Sequence, residues 1–262
     1  MTGPLLVVED VTAGFGATTV LHGVSFEVQR GEIAGVFGLN GAGKSVTMKT
    51  IAGIVPARSG RILLDGQDVT GLSPEKRVAR GMGHVPQGRQ VFPGLTVEEN
   101  LRLGAYTLRR REGRRDRSRY AASLDSVFDR FPVLRDRRNQ LAGTMSGGQQ
   151  ASLSVGRALI NEPSLILVDE PSAGLSPVAQ LELNEVLQTV AETGVTMVLV
   201  EQNIAFGLSL VDTAHLLQTG VVVHSAPVEE LDDATLATHL GIGRVLQAAT
   251  GSALASRQDR PR

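Results

Sequence analysis

The sequence predicts an α/β fold with a mostly parallel central sheet, and three features carry that prediction. Short apolar runs at 33–37, 165–168 and 197–200 have the length and composition of strands covered on both faces. Stretches with helical character alternate with them, over 44–54, 150–159 and 177–193. A glycine-rich loop ends the first apolar run and opens the first helix, so strand, loop and helix follow in the order that a phosphate-binding loop requires.

The other elements are read in chain order. Residues 5–8 and 20–28 have strand character, the second alternating apolar and polar through HGVSFEV. Residues 61–64 run into Asp65 and Gly66, a pair suited to a tight hairpin turn. From about 98 to 141 the spacing becomes helical and arginine-rich, as in ENLRLGAY and SLDSVFDRF. Residues 215–217 and 221–224 read as a closing hairpin around Gly220. Beyond about 247 the chain is rich in Ala, Ser and Arg, the composition of a frayed tail. The expected organisation is one domain over 1–246 followed by a flexible 247–262.

Composition narrows the chemistry. With 262 residues and 42% hydrophobic content the chain can bury a large core. It has no cysteine, which removes disulfides, thiolate metal sites and a cysteine nucleophile. A net charge of −1 provides no whole-molecule attraction to nucleic acid. The arginine run at 109–119 lacks interleaved aromatics and reads as a solvated surface segment. Five histidines (His22, His84, His215, His224, His239) are scattered without ligand spacing, so neither a metal cluster nor a catalytic triad is expected. No apolar run reaches 18 residues and MTGPLLVVEDV lacks a signal pattern. The expectation is a soluble, cytoplasmic protein that reaches a membrane only through a partner.

The glycine loop is Gly38, Leu39, Asn40, Gly41, Ala42, Gly43, Lys44, Ser45, a full match to the P-loop pattern. Glycines let successive amides converge on phosphate oxygens, and the helix behind them adds its dipole. Lys44 can neutralise terminal phosphates and the Ser45 hydroxyl can ligate Mg²⁺. The chain has only three lysines (Lys44, Lys49, Lys76) against 23 arginines, so a lysine inside this loop is no compositional accident. The run 165–168 ends in Asp169 and Glu170, at the strand edge where open α/β sheets bind nucleotides. There Asp169 would face the Mg²⁺ shell and Glu170 would act as general base toward water. Ser146, Gly147, Gly148 and Gln149 open another helix and form a second anion cradle.

In that order, P-loop, SGGQ and Leu-Val-Asp-Glu, the chain resembles the ABC-type ATPases to about residue 245. The resemblance implies a P-loop NTPase fold: a RecA-like parallel core, an antiparallel β lobe (about 1–30 plus 60–70) and a helical lobe near 90–160. It also implies roles for further residues. Phe15 would stack on adenine, and Val46 would join the loop in holding the nucleotide. Gln87, in His-Val-Pro-Gln, matches the glutamine loop that reaches Mg²⁺ and the attacking water. Residues 172–176 match the loop that follows the acidic pair. In relatives the SGGQ of one subunit closes over the P-loop nucleotide of another, so a dimer, homo- or heteromeric, is implied. Leu21-His-Gly-Val-Ser-Phe, Phe92-Pro-Gly-Leu-Thr-Val-Glu-Glu-Asn-Leu, Phe131-Pro-Val-Leu and Val200-Glu-Gln-Asn203 resemble the smaller ATPase component of branched-chain amino-acid uptake systems.

That branch implies transmembrane permease partners, a solute-binding protein, and a place on the inner face of the plasma membrane. A groove between Gln87 and the helical lobe would take a short permease helix. Other cargo (lipid, drug, urea or amide) is the alternative, and a non-transport ATPase acting on DNA or ribosomes a further one. Against the latter, Ser146 follows Ser45 by only 101 positions, leaving no room for a long coiled coil, and there is one P-loop. The sequence departs from the family at Gln202, where most members have a histidine that contacts the γ-phosphate, and at Ser176, usually aspartate. Met145, Ala151 and Ser152 are smaller departures.

Overall fold

The computed structural model describes residues 3–88, 91–106 and 117–241. Its centre is a six-stranded sheet of order β10-β9-β3-β8-β7-β6. The strands are β3 (Ile33–Phe37), β6 (Met82–Val85), β7 (Leu165–Asp169), β8 (Thr196–Glu201), β9 (Thr213–Gln218) and β10 (Val221–Pro227). All pair in parallel except β10, which returns antiparallel beside β9. Every residue of β3, β7 and β8 is buried, which is why their sequences are continuous apolar runs.

The pleat sends successive side chains to opposite faces. Ile33, Ile166, Val168, Met197 and Leu199 join one hydrophobic cluster, while Ala34, Val36, Leu165, Leu167, Val198 and Val200 join another. Each of these Val, Leu, Ile and Met side chains stabilises the fold by about 1.5–3 kcal/mol on burial.

The second cluster lies against a four-stranded antiparallel sheet of order β2-β1-β4-β5, formed by β1 (Leu6–Phe15), β2 (Thr18–Val28), β4 (Ala57–Leu64) and β5 (Gln67–Asp68). Helix α1 (Lys44–Ile51) contributes Met48 and Ile51 to it. The predicted strand at 5–8 continues to Phe15 through a bulge. Asp10 takes φ 48° and the pairing register shifts between Val8 and Val11, which breaks the alternation in the sequence.

The first cluster is covered by helices. After α2 (Pro74–Ala79) come α3 (Val97–Gly104), α4 (Arg117–Arg130), α5 (Pro132–Asp136), α6 (Gly147–Leu159) and α7 (Pro177–Ala191). Helices α8 (Ile204–Leu208) and α9 (Asp233–Leu240) follow. The arginine-rich helical region is therefore several helices. Thr96 and Glu99 form a capping box that starts α3, and Pro132 opens α5 at its first turn. Helix α1 is shorter than predicted and ends at Ile51; Gly53 takes φ 78°, and Ile54 and Val55 fold their amides back onto the Lys49 carbonyl.

Arg77 of α2 is 1% exposed and donates to the carbonyls of Thr50 (2.8 Å), Ile51 (2.6 Å), Thr70 (2.7 Å) and Leu72 (3.1 Å). It thus caps the C-terminal end of α1 with a positive charge. Residues 109–116 of the arginine run and the tail from 247 lie outside the described residues. No helix among those described is long and apolar enough to cross a membrane.

Candidate active site

Strand β3 feeds the chain into the glycine loop, and Gly43 is the N-cap of α1. Gly41 and Gly43 take φ 81° and 107°, a backbone that side chains resist and that lets neighbouring amides converge on one anion. The loop is braced from behind. The Gly220 amide donates to the Ala42 carbonyl at 2.8 Å, and the His22 amide donates to the Gly220 carbonyl at 2.8 Å. A Cβ on Gly220 would lie 1.9 Å from the Val20 carbonyl oxygen, so the β9–β10 turn meets β2 only because that residue is glycine.

Lys44 is 4% exposed, and its ammonium donates to the carbonyls of Gly38 (2.8 Å) and Leu39 (3.2 Å). Burial lowers its pKa, while Glu170, Asp169 and Glu201 pull it back up. A cleft of about 250 Å³ is lined by Asn40, Gly41, Gly43, Lys44 and Ser45 of the loop, by Val20 and Val46, and by Glu170.

Asp169 ends β7 and is 3% exposed. Burial and the neighbouring Glu170 push its pKa up to about 6, against Lys49 and Lys44, and its Oδ1 has no hydrogen-bond partner. A buried carboxylate oxygen without a donor and a serine hydroxyl at the head of α1 suit Mg²⁺, and the nearby lysines suit the phosphates that would share it. Magnesium is commonly held by one or two carboxylates plus substrate oxygens. No cluster of three or more His, Cys, Asp or Glu among the described residues could hold a metal alone.

Glu170 adopts φ 43°, a left-handed conformation uncommon for any residue but glycine or asparagine. Its amide donates to the Val200 carbonyl at 2.9 Å, and its Oε2 accepts from Gln87 Nε2 at 2.7 Å. Glu170 also lines a second cavity of about 320 Å³ with Ser172, Ala173, Gln180, Glu201, Gln202 and Asn203. The structure therefore brings together the P-loop, Asp169, Glu170, Gln87 and Gln202. It keeps Ser146–Gln149 apart: neither cavity is lined by them. There Ser146 and Gln149 form a reciprocal capping box at the head of α6, and Gly148 abuts Glu182 of α7 so closely that a Cβ would meet its Oε2 at 1.7 Å.

Phe15 is 55% exposed at the end of β1, which rules out a core role. Leu39 is equally exposed and Ala42 is buried. Among the departures, Ser176 accepts from the Ala179 amide as N-cap of α7, a position where serine and aspartate serve alike. Met145 is buried, as the leucine it replaces would be. Ala151 and Ser152 are buried too, Ser152 bonding the Gly148 carbonyl at 3.1 Å.

Sequence reasoning missed Glu201 and Gln180. Glu201 carries the same signal as Asp169, an acid that ends an all-apolar strand. Gln180 had no local signal, because it reaches the second cavity only through the placement of α7.

A P-loop at the head of α1, opposed by an acidic strand end and a glutamine, defines the class: an ATP-binding subunit of P-loop NTPase type. Residues 21–173 match the family described as ABC transporter, and the chain belongs to that family. It is 41% identical over 219 residues to the high-affinity branched-chain amino acid transport ATP-binding protein BraG of Pseudomonas aeruginosa, covering 84% of this chain and 91% of that one. It is 36% identical over 222 residues to the probable branched-chain amino acid transport ATP-binding protein LivF of Archaeoglobus fulgidus, covering 84% and 91%. Among solved structures it is similar to an ATP-binding cassette of an ABC transporter in its ADP conformation. The TM-score there is 0.78 and the identity 25%, over 96% of this chain and 100% of the other. The fold is thus that of the ABC ATPases, and the activity is ATP hydrolysis coupled to transport.

Proposed function

We propose that this subunit hydrolyses ATP with Mg²⁺ in a site shared with a second ATPase subunit, and so powers uptake of branched-chain or other hydrophobic amino acids. The observation that carries the catalytic part is Glu170, which lines both cavities, one of them together with Lys44, and accepts a hydrogen bond from Gln87. Glu170 accepts the proton of water as its oxygen bonds to the terminal phosphorus, and the bond to ADP breaks. Gln87 orients Glu170 and the water, Lys44 neutralises the terminal phosphates, and Gln202 offers a neutral amide where most relatives have imidazole. Mg²⁺, held by Ser45, Asp169 and Gln87, would offset phosphate charge. Gly38, Leu39, Asn40, Gly41, Ala42, Gly43 and Val46 wrap the phosphates, and Phe15 covers adenine.

Ser146, Gly147, Gly148 and Gln149 serve the nucleotide of the neighbouring subunit. That they line neither of this chain's two cavities supports that division. Cargo follows from likeness to BraG and LivF. It implies permease partners, an associated solute-binding protein and attachment to the inner face of the plasma membrane, with no nucleic acid involved.

The test is Glu170→Gln in the assembled membrane complex. ATP binding should persist, a nucleotide-bound dimer should accumulate, and turnover should fall about a hundredfold or more. Wild-type turnover in the mutant would sink the assignment. Stimulation of the complex by leucine-loaded binding protein supports the cargo, whereas stimulation only by urea or an amide overturns it.

A further inference from the structure

Glu201 closes β8 and has no part in the mechanism above. It is 1% exposed, yet it lies in no ion pair found among the described residues. Its two carboxylate oxygens are divided between two separate segments. Oε1 accepts from the Ser172 amide at 2.8 Å, and Oε2 accepts from the amides of Gln202 (3.0 Å) and Asn203 (3.1 Å). Burial raises its pKa, and these donors, with the Ser172 side chain, hold it down.

The bonds close a ring that runs through the Glu170 backbone. The Glu170 amide donates to the Val200 carbonyl, next to Glu201 in β8, and the Ala173 amide returns to the Glu170 carbonyl at 3.2 Å. As part of this ring Glu170 keeps its left-handed backbone (φ 43°), which persists only where the surroundings over-determine it. The segment that starts at Ser172 continues to Ser176, the cap of α7. The other segment carries Gln202, which shares the second cavity with Glu170.

We propose that Glu201 is a positioning residue for ATP hydrolysis: its carboxylate couples the segment 172–176 to Gln202 and fixes both beside Glu170. The proposal rests on Glu170 being the group that takes the proton from water. Only an acceptor on both oxygens can do this. A glutamine would present an NH₂ to one of the two donor sets and expel that segment. An aspartate is shorter by one C–C bond of about 1.5 Å and cannot span both.

The test places Glu201→Gln and Glu201→Asp in the full chain, with ATP affinity, kcat and KM read in the assembled membrane complex and backbone hydrogen exchange read in the chain itself. For Glu201→Gln, ATP affinity and KM should stay within about twofold while kcat, normalised to nucleotide-binding protein, falls about tenfold or more. Exchange at Ser172, or at Gln202 and Asn203, should accelerate by about tenfold or more, and Glu201→Asp should not restore either property. A role in stability alone would lower the folded fraction and leave kcat per binding-competent molecule unchanged, which overturns the proposal. So does wild-type exchange at both segments. If neither variant folds, the wild-type chain decides: a Ser172 amide exchanging as fast as exposed loops refutes the link. Wild-type turnover in Glu170→Gln, with exchange still responding to Glu201→Gln, would remove the hydrolytic reading while leaving the coupling of the two segments intact.

Discussion

Replacing Arg77 tests the support beneath the P-loop helix. Its guanidinium reaches four carbonyls, and two of them, Thr50 and Ile51, lie at the C-terminal end of α1. Truncation to Met keeps the aliphatic stem and strands these acceptors where water enters poorly. A hydrogen bond to a charged group contributes about 1.5–3 kcal/mol, and an acceptor left unsatisfied costs about 1–3 kcal/mol. These terms are not additive, and the recovered hydration of a buried guanidinium offsets part of them. Net of that offset, the destabilisation of Arg77→Met should be about 2–4 kcal/mol. Arg77→Lys should fall between, because an ammonium offers three donors and no planar fork. The assay is urea unfolding, read as a lower midpoint with an unchanged slope. A loss below about 1 kcal/mol for Arg77→Met would show that the carbonyls find other donors, and the capping argument would fail.

Two further outcomes follow from other sites. His215 is 3% exposed, bonds Ser225 through Nδ1 at 2.8 Å and packs on Phe26, and burial pushes its pKa from 6.5 to about 4. The unfolded chain therefore binds a proton that the folded chain refuses between these values. Stability should be complete above pH 6.5 and decline on the order of 3 kcal/mol as pH falls to 4. In His215→Gln that part of the slope in urea midpoint against pH should vanish, and an unaltered slope would contradict the assignment. Phe15→Ala should leave the melting temperature unchanged, because the ring is 55% exposed, but weaken ATP binding about threefold to tenfold in calorimetric titration. Unchanged affinity would place adenine elsewhere.

Much of the site was legible because its chemistry is written in contiguous residues. The glycine loop and Ile33–Phe37 could be read directly, since a strand buried on both faces must be apolar throughout. The same reasoning located Asp169 and Glu170. It applied equally to the acid after Thr196–Val200, but Glu201 gains its meaning from Ser172, an amide 29 positions away. Arg77 was not readable at all: one arginine among 23 has no local mark of burial, and its partners lie on α1 and in the turn before α2. Strand β1 was read short because its bulge at Asp10 interrupts the alternation on which strand recognition depends. The separation of Ser146–Gln149 from the P-loop cleft is a property of helix packing, which residue spacing does not encode.

The brace at Gly220 bears on what nucleotide binding costs. A loop free to move would have to be ordered by each incoming phosphate, and that ordering would be subtracted from affinity. Here the carbonyl of Ala42 is pinned to a turn that is itself pinned to β2, so the amides of the loop stand aimed in advance. To lift away, such a loop must break the bond to Gly220 or carry the β9–β10 turn with it. A push delivered to either sheet would then arrive at the phosphates as a shift of the whole cradle, with little lost to local slack.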